Sequence, residues 1–443
     1  MACGGVGERA RRVAVVVMGD VGRSPRMQYH ALALAEAGVA VDLVGYAGRP
    51  LFPGLRAHQN VTCHRVRVGA FGARHRLPRV LFLAYAAARL LRQVTTLGWV
   101  LAMRLPRPDV VLVQTPPAIP TLLVALLVAR TRGARLLVDW HNFGDTMLAL
   151  TLGEVHPVVR LAGRHEGAVG RRADGHLCVS RAMQAALAAR WGIEAHVLYD
   201  RPATAFAPTA AADRRDLCRR LADVLDGYVP DAPDRPALVV SSTSWTADED
   251  FSLLLDAASR YDALVADPSS RPGQGPEARL LIVITGDGPL RARFEAEVGA
   301  RGLRAVRVRT VWLQPEDYPR LLGAADLGIC LHRSSSGVDL PMKVADMFGA
   351  GLPVCAYDYG PCLREMIRPG ENGLLFADGV ELAEHLHQLL AGFPRTTARL
   401  DALRQGVQAE RTVTWGEGWR AEALPLLRRL LAERSAAEEA TGS

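Results

Sequence analysis

The sequence predicts an α/β protein of two doubly wound domains, each built on a parallel β-sheet. The first half of the chain alternates short apolar, β-branched runs with amphipathic stretches, and the second half repeats this alternation. Strands that alternate with helices form parallel sheets with helices on both faces. With 443 residues, 49% of them hydrophobic, the chain is long enough for two domains that each bury a core.

The first predicted domain, residues 1–204, begins with a strand, a loop and a helix. Val13 to Met18 is a continuous apolar run, and Ser24-Pro25 opens an amphipathic stretch that continues to Ala37. Further runs have the composition of strands, with helical segments between most of them: Ala40 to Val44, Val61 to Val66, Val110 to Val113, Leu136 to Val138, Gly175 to Val179 and Glu194 to Leu198.

A change of composition separates the two domains. Residues 205–236 are rich in Pro, Ala, Asp and Arg and predict a linker. The second domain, residues 237–412, contains these predicted strands: Ala237 to Val240, Leu280 to Ile284, Ala305 to Thr310, Leu327 to Leu331 and Pro353 to Ala356. Residues 413–443 predict a C-terminal helix and tail. Two such domains are expected to face a cleft, with ligands bound beyond the carboxyl ends of the strands.

The charge of the chain is modestly positive and its lysine content is very low. A formal charge of +7 is compatible with nucleic acid, a membrane surface or anionic phosphates, so charge does not choose among them. Lys343 is the one lysine among 53 basic residues. Arginine can replace a lysine that serves only as a surface charge, so Lys343 is expected where a compact ammonium is needed. The alternative is that it remains by chance.

The cysteines and the apolar segments of the sequence indicate in which cellular compartment the chain works. The seven cysteines form neither a CxxC pair nor a zinc spacing, which predicts reduced thiols and a catalytic part that faces the cytosol.

Residues 1–12 lack the apolar stretch of a signal peptide, and residues 118–129 are too short to span a bilayer. Residues 80–103 resemble an interfacial amphipathic helix with Arg79, Arg89, Arg92 and Arg104 as anchors, or equally a core helix whose arginines reach solvent.

Two loops of the first domain carry candidate site residues. Asp20, Gly22, Arg23 and Arg26 follow the first strand, where amides, a helix N-terminus and two guanidinium groups would form an anion site. This loop lacks the GxGxxG spacing, which disfavours a nicotinamide enzyme, and it is also compatible with a tight turn. Asp139, His141 and Asn142 lie at the end of another strand, together with the aromatic residues Trp140 and Phe143. They predict sugar chemistry, or a helix cap and a structural histidine.

Three loops of the second domain carry the remaining candidates. Ser242 and Ser244 could donate to phosphate oxygens, while Trp245 would stack or pack. The acidic residues 248–250 resemble a metal-binding DxD but are predicted as the first turn of a helix. Gly286 and Gly288 would permit close approach of a nucleotide, or form a simple turn. A richer loop follows the fourth strand and combines hydroxyls, glycine, cation and carboxylates: Ser335, Ser336, Gly337, Asp339, Lys343 and Asp346.

Five strings of these residues together resemble one family. They are GDVGRSPRMQYHALAL, DWHNFG, SSTSWT, EDYP and SSSGVDLPMKVADMFG. In this order they are similar to the chitobiosyldiphosphodolichol beta-mannosyltransferase family, and the likeness runs from about Val13 to about Leu430. The resemblance implies a GT-B architecture, in which two doubly wound Rossmann-like domains face a cleft. Members typically begin with an apolar anchor helix, which MACGGVGERARR does not contain.

The resemblance also implies an activity and its setting. Mannose would pass from GDP-mannose to GlcNAc2-PP-dolichol with inversion to a β1,4 linkage, the first mannosylation in N-glycan precursor synthesis. No cofactor or metal is expected to be obligatory. The expected location is the cytosolic face of the endoplasmic reticulum membrane. The expected partners are GDP-mannose, chitobiosyl-PP-dolichol, the membrane surface and other mannosyltransferases of the same assembly, without nucleic acid.

The resemblance assigns roles to the candidate residues. Asp20 or His141 would be the general base, because both lie at strand ends on the acceptor side. Gly22, Arg23, Arg26, Asp139 and Asn142 would bind acceptor or diphosphate. The donor, GDP-mannose, would be bound by the candidate residues of the second domain. Retaining relatives carry two glutamates with seven residues between them, whereas Asp339 and Asp346 have six. The alternatives are an inactive scaffold subunit and a sugar-nucleotide epimerase.

Overall fold

The structure is a computed structural model that describes residues 10–66, 79–245, 249–265, 279–411 and 413–442. Residues 1–9 and Asp248, on which parts of the sequence prediction rest, lie outside this range. The chain divides into two compact units. The first unit is Met1–Tyr199 together with Gly416–Ser443, and the second is Asp200–Trp415. The first unit therefore contains both ends of the chain.

The first unit contains a seven-stranded sheet. Its strands are β1 (Arg12–Asp20), β2 (Ala40–Tyr46), β3 (Val61–Val66), β4 (Val110–Thr115), β5 (Arg135–Trp140), β6 (Gly175–Cys178) and β7 (His196–Val197). Its helices are α1 (Pro25–Glu36), α2 (Pro53–Arg56), α3 (Arg79–Trp99), α4 (Thr121–Thr131), α5 (Gly144–Leu152), α6 (Pro157–Gly170) and α7 (Arg181–Trp191). Among the described residues, no helix is both long and apolar enough to cross a bilayer.

The strand order of this sheet is β3-β2-β1-β4-β5-β6-β7, and its strands pair in parallel. Val13, Val15 and Val111 are fully buried, as expected for strands with helices on both faces. The order reverses between β1 and β4. Ligands of open α/β sheets bind beyond the carboxyl ends of the strands at such a reversal. The loops after β1, β4 and β5 are therefore where the chemistry of this unit is expected.

The second unit contains a six-stranded sheet. Its strands are β8 (Ala237–Ser242), β9 (Leu280–Thr285), β10 (Val306–Val311), β11 (Leu327–Cys330), β12 (Val354–Tyr357) and β13 (Gly373–Phe376). Its helices are α8 (Ala211–Arg220), α9 (Phe251–Val265), α10 (Arg291–Arg301), α11 (Asp317–Ala324), α12 (Met342–Gly349), α13 (Gly379–Leu389) and α14 (Ala398–Glu410). The helix α15 (Trp415–Gly442) then leads back to the first unit.

The second sheet has the order β10-β9-β8-β11-β12-β13 and is also parallel. The segment 205–236, predicted as a linker, contains α8. Leu217, Leu225 and Tyr228 of this segment are buried in one of the two cores that flank the sheet. Its apolar positions therefore make it part of the second unit. The strand β13, residues Gly373–Phe376, was not predicted.

The helix α15 completes the first unit. Leu426 and Leu430 are buried, and their side chains lie beside Gly175 of β6. Arg434 is 3% exposed, and its guanidinium contacts both the Pro108 carbonyl at 2.5 Å and the Asp109 carboxylate at 3.2 Å. A buried charge needs such partners to offset its desolvation. The helix α15, as far as Arg434, is therefore fixed beside β6 and the residues that precede β4.

Candidate active site

Asp139, at the end of β5, is the centre of a buried polar network in the first unit. The Nε and Nη2 groups of Arg26 donate to its two carboxylate oxygens at 2.8 and 2.9 Å. Arg26 is itself 1% exposed, and its Nη1 donates to the Leu198 carbonyl. Burial alone would raise the pKa of Asp139, but the charges and hydrogen bonds of Arg26 and the neighbouring histidines hold that pKa well below its usual value. Asp139 is therefore ionised at neutral pH.

His30, in α1, joins this network from the opposite side. The indole Nε1 of Trp419 donates to His30 Nδ1 at 3.0 Å, so the proton of the neutral ring lies on Nε2. This Nε2 then donates to Asp139 at 3.1 Å. Burial lowers the pKa of His30, which favours the neutral ring. Trp419, in α15, thereby fixes the tautomer of a histidine that supports the carboxylate.

His141 is the member of the network that reaches solvent. Its Nε2 lies 2.8 Å from Asp139 Oδ2, and its side chain is 19% exposed, whereas Asp139 and His30 are fully buried. The ionised carboxylate accepts the Nε2 proton, which leaves Nδ1 with a free lone pair. The backbone amide of His141 donates to the Thr115 carbonyl at 3.0 Å. An accessible imidazole oriented by a buried carboxylate is the arrangement of a general base.

Asp20 has a different environment. Its carboxylate accepts hydrogen bonds from the amides of Gly22 at 3.0 Å and Arg49 at 3.0 and 3.1 Å. A Cβ atom on Gly22 would lie 2.4 Å from the Arg49 carbonyl oxygen, so the two loops approach too closely for a side chain. The Arg23 side chain is 67% exposed, with its Nε 3.7 Å from Asp20. Asp20 therefore holds two loops together, and Arg23 is accessible to an anion.

The structure thus separates the predicted residues of the first domain into two groups. Arg26, Asp139 and His141 form one network, whereas Asp20, Gly22 and Arg23 form a turn that does not share its contacts. Arg26 was predicted to bind an anion, but its guanidinium is buried and serves Asp139 instead. Asn142 Oδ1 accepts from the Phe143 amide at 2.7 Å. The residue types predict polar chemistry at these loops, while the side-chain directions depend on packing.

Glu166, in α6, is a buried carboxyl group that the sequence analysis missed. It accepts hydrogen bonds from the Gly144 amide at 3.1 Å and from the Thr115 hydroxyl at 3.2 Å. Burial raises its pKa to about 7. A signal was present in the sequence, because Glu166 lies four and seven positions after the buried residues Ala162 and Val159 of the same helix. A carboxyl group on an apolar helix face marks a special environment.

In the second unit, Lys343 contacts a buried glutamate. Its Nζ lies 2.5 Å from Glu249 Oε1, while Glu249 Oε2 accepts from the Thr243 hydroxyl and the Ser244 amide. The Glu249 side chain is 1% exposed and that of Lys343 is 26% exposed. The acidic segment was predicted as a first helical turn, but α9 begins at Phe251, after Glu249. The sole lysine is therefore held in place by Glu249, with its side chain partly accessible.

Gly286 and Gly288 allow the loops after β8 and β9 to touch. A Cβ atom on Gly286 would lie 1.9 Å from the Thr243 carbonyl oxygen, and the φ of Gly286 is +143°. A Cβ atom on Gly288 would lie 2.1 Å from the Ser244 carbonyl oxygen. Trp245 is fully buried and stacks on Phe251 at 4.4 Å. Of the two predicted roles for Trp245, the structure therefore shows packing within the core.

The loop between β11 and α12 is organised around Asp339. Its carboxylate accepts hydrogen bonds from the Ser334 hydroxyl and from the Ser336 hydroxyl at 3.2 Å, and lies 3.3 Å from His332. Burial would raise the pKa of Asp339, but His332 and Ser334 hold that pKa below its usual value. The Gly337 amide donates to the Ser334 hydroxyl at 2.8 Å. Ser334, which was not a predicted site residue, shapes the loop that carries Ser335, Ser336 and Gly337.

Asp346 and Ser242 are the remaining candidates of the second unit. Desolvation, together with the nearby Asp200, raises the pKa of Asp346 well above its usual value. Asp346 therefore keeps its proton to a higher pH than an ordinary aspartate, unlike Asp339, whose pKa is lowered. The Ser242 hydroxyl lies 2.9 Å from the Tyr318 hydroxyl, and this contact holds Ser242 in place.

Two parallel sheets with polar loops at the carboxyl ends of their strands define a two-domain glycosyltransferase of the GT-B class. Residues 22–199 match the glycosyl transferase 4-like domain, and residues 237–392 match the glycosyl transferases group 1. The fold is also similar to that of sucrose-phosphate synthase from Thermosynechococcus elongatus, with a TM-score of 0.65 and 18% identity over 96% of this chain and all of that chain. Anabaena Alr3699/HepE in complex with UDP and glucose gives a TM-score of 0.64 at 17% identity over 95% of this chain and all of that chain.

Full-length relatives are much closer in sequence. The chitobiosyldiphosphodolichol beta-mannosyltransferase of Mus musculus is 40% identical over 95% of this chain and 89% of its own length. That of Homo sapiens is 39% identical over 95% of this chain and 93% of its own length. A protein named UDP-glycosyltransferase TURAN from Arabidopsis thaliana is 41% identical over 97% of this chain and 99% of its own length. The chain belongs to the chitobiosyldiphosphodolichol beta-mannosyltransferase family.

Proposed function

We propose that this chain transfers mannose from GDP-mannose to GlcNAc2-PP-dolichol and forms the β1,4 linkage of Man1GlcNAc2-PP-dolichol. Membership of the mannosyltransferase family supports the reaction type. The observation that carries the mechanism is the pair formed by Asp139 and His141, in which a buried carboxylate orients a solvent-reaching imidazole at 2.8 Å. A sugar-nucleotide epimerase has no lipid acceptor, and an inactive scaffold has no need of an oriented base.

His141 is the base in this proposal, in preference to Asp20. In a single displacement, Nδ1 of His141 takes the proton of the acceptor O4 hydroxyl as its oxygen bonds to C1 of mannose. The bond between C1 and the phosphate oxygen breaks, and its electron pair leaves with GDP. Asp139 stabilises the imidazolium that forms. The Asp20 carboxylate already holds the backbone amides of Gly22 and Arg49, so its oxygens are engaged in structural contacts.

The second unit binds the donor in this proposal. Lys343 is partly exposed beside Glu249 and supplies a positive charge for the departing diphosphate. The loop that carries Ser335, Ser336 and Gly337 offers hydroxyls and amides to the same group. Asp339, kept ionised, accepts hydrogen bonds from hydroxyl groups. None of these contacts requires a metal ion.

The test is transfer of labelled mannose from GDP-mannose to chitobiosyl diphosphate lipid by the purified chain. UDP-sugars are the donor control, because one relative carries UDP in its name. Chitobiose without lipid is the acceptor control. A β-linked product from GDP-mannose and the lipid acceptor alone supports the proposal. Folded protein that binds GDP but transfers nothing would favour a scaffold, and conversion of free GDP-mannose to another nucleotide sugar would favour an epimerase.

We also infer that the first unit contacts the cytosolic face of the endoplasmic reticulum membrane. Of the 17 large hydrophobic side chains exposed in the described part of the chain, 13 lie between positions 90 and 161. They occur on and between the packed helices α3, α4, α5 and α6, with exposures of 64% for Leu91, 75% for Met103 and 69% for Leu150. Apolar area of this extent marks an interaction surface, and nearby arginines favour anionic lipid.

Membrane contact is measured by sedimentation with lipid vesicles. The wild-type chain is expected to bind vesicles that contain anionic lipid more tightly than neutral ones. Replacing both Leu91 and Met103 by Asp removes apolar contact and adds negative charge, so binding should fall without loss of folded protein. Val229→Asp, at an exposed apolar position of the second unit, is the control. Equal vesicle binding by all three proteins would contradict this surface.

A further inference from the structure

A cavity of about 830 Å³ lies in the first unit among α3, α5, α6 and the loop before α4. Apolar side chains dominate its lining, and they include Leu90, Ile119, Met147, Leu148 and Val158. Cavities of this size accommodate small organic ligands. The transfer chemistry assigned to His141 and Lys343 makes no use of it. Its lining favours a hydrocarbon over a sugar or a nucleotide.

The polar end of this cavity lies near the loop that carries the candidate base. Glu166 and Gly144 line the cavity, and the Glu166 carboxyl group accepts a hydrogen bond from the Thr115 hydroxyl at 3.2 Å. The carbonyl of the same Thr115 accepts a hydrogen bond from the His141 amide at 3.0 Å. Thr115 of β4 therefore links the backbone of His141 to Glu166, a residue that lines the cavity. Gly144, three positions after His141, also lines the cavity, so the polar end of a bound ligand would lie near the loop that carries His141.

The open surroundings of the cavity are also apolar. Leu90, Ile119, Met147 and Val158 line it and belong at the same time to the exposed hydrophobic side chains of the unit, with exposures between 41% and 47%. A hydrocarbon chain that leaves a bilayer at this surface can enter the cavity without crossing water, which avoids the cost of exposing it. Arg89 also lines the cavity and offers a positive charge to an anionic headgroup.

We propose that this cavity binds the isoprenoid segment of the acceptor that adjoins its diphosphate. The inference rests on the proposed function, since that function supplies a lipid-linked acceptor. Binding of the segment positions the chitobiose at His141 and gives the enzyme its preference for an isoprenoid tail. A phospholipid acyl chain has similar chemistry, but it carries no sugar to the base.

The test compares two acceptors with the same chitobiosyl diphosphate, one on a long isoprenoid chain and one on an ethyl group, both in phosphatidylcholine vesicles. Thr151→Phe narrows the cavity from its rim, because Thr151 lines it and is exposed. Thr131→Phe makes the same change at an exposed position of α4 outside the lining. We expect Thr151→Phe to raise the KM for the isoprenoid acceptor about tenfold or more and the KM for the ethyl acceptor by less than about twofold. Thr131→Phe should change neither.

Photolabelling of the wild-type chain gives a readout that needs neither folding of a variant nor turnover. A diazirine on the first isoprene unit is expected to label peptides from Gly144–Leu152 or Pro157–Gly170. Labelling confined to other peptides, or an equal effect of Thr151→Phe on both acceptors, would overturn the cavity assignment. Absence of transfer to either acceptor by the wild-type chain would instead refute the proposed function, and the labelled peptide would still decide the cavity.

Discussion

Trp419 donates a hydrogen bond to His30 across 389 positions of the chain, at 3.0 Å. The pair connects α15 to α1 and sets which ring nitrogen of His30 faces Asp139. Because Asp139 also orients His141, the C-terminal helix contributes to the geometry of the candidate base without touching it. Trp419 acts through His30 and Asp139. Its replacement should therefore change both the free energy of unfolding and turnover.

Trp419→Phe keeps the aromatic packing but removes the indole donor. The variant leaves His30 Nδ1 buried without its partner, which should lower the free energy of unfolding by about 1–3 kcal/mol and reduce kcat. Urea denaturation and a turnover assay measure the two effects. Trp99→Phe, at a side chain that is 55% exposed, is the control and should leave the free energy of unfolding unchanged. Equal denaturation midpoints for Trp419→Phe and the wild type would contradict the role of this hydrogen bond.

His141→Gln removes the imidazole while retaining a polar side chain of similar reach. Loss of a general base should reduce kcat by about 10²–10⁴-fold, with little change in the KM for GDP-mannose. Asp20→Asn is the comparison, because its carbonyl oxygen can still accept from the amides of Gly22 and Arg49, so kcat should change little. The same assay of both variants separates the two candidates. A larger loss in Asp20→Asn would transfer the role to Asp20.

Lys343→Arg tests the need for a compact ammonium. The planar guanidinium cannot reproduce the 2.5 Å contact of Lys343 with Glu249 in the space that the ammonium occupies, so transfer should fall by more than about tenfold while the chain still folds. Circular dichroism monitors folding, and labelled mannose monitors transfer. Arg293→Lys, at a side chain that is 80% exposed, is the matched control. Unchanged turnover in Lys343→Arg would show that this lysine is replaceable.

Gly286→Ala tests the close approach of two loops in the second unit. The new Cβ atom would lie 1.9 Å from the Thr243 carbonyl oxygen, so the free energy of unfolding should fall by about 3 kcal/mol or more. Gly302→Ala is the control, since Gly302 has a φ of +60° but nothing within 4 Å of the added carbon, and should cost about 1 kcal/mol. Chemical denaturation compares them. Similar losses in both would assign the effect to backbone conformation alone.

Glu166 predicts a pH dependence of stability. Its folded pKa of about 7 exceeds the ordinary value of 4.5, so the folded chain keeps this proton where the unfolded chain has lost it. The contribution of Glu166 is therefore greatest below about pH 4.5 and is lost as the pH rises through about 7. Burial is the main cause, and the nearby Asp145 adds to it. Arg89, in the facing helix α3, is a cation that lines the same cavity.

Glu166→Gln removes this titration. Relative to the wild type, the free energy of unfolding of the variant should therefore rise between about pH 4.5 and pH 7, by up to about 3 kcal/mol. Urea denaturation at a series of pH values measures the difference. Glu154→Gln, at an exposed position, should follow the wild type. A constant difference between Glu166→Gln and the wild type would mean that folding does not raise the pKa of Glu166.

The alternation of apolar runs with amphipathic stretches was sufficient to predict the fold. All predicted strands occur, because continuous runs such as Val13 to Met18 suit strands that are buried on both faces. The return of α15 to the first unit could not be predicted, since the contact of Trp419 with His30 joins distant positions and has no local pattern. The helix α8 could not be predicted either, because its buried Leu217 lies in a strongly charged segment.

The site could be predicted as a set of loops but not as a set of contacts. Polar residues at strand ends predict where a site lies, because parallel sheets bring these ends together. Arg26 and Trp245 have the chemistry of ligand-binding residues, yet the side chains of both are buried within their units. Glu249 carries no pattern that distinguishes a partner of Lys343 from a helix cap. Which carboxyl group meets which cation depends on the tertiary structure.

The first unit is assembled from both ends of the chain, which has a consequence for its biosynthesis. A ribosome releases residues 1–199 long before residues 416–434, so Arg434 and Trp419 reach their partners last. Until then, Asp109 and His30 lack their contacts with α15. Domains generally fold as units during translation. The nascent first unit can therefore complete its contacts with α15 only after the whole second unit has been made.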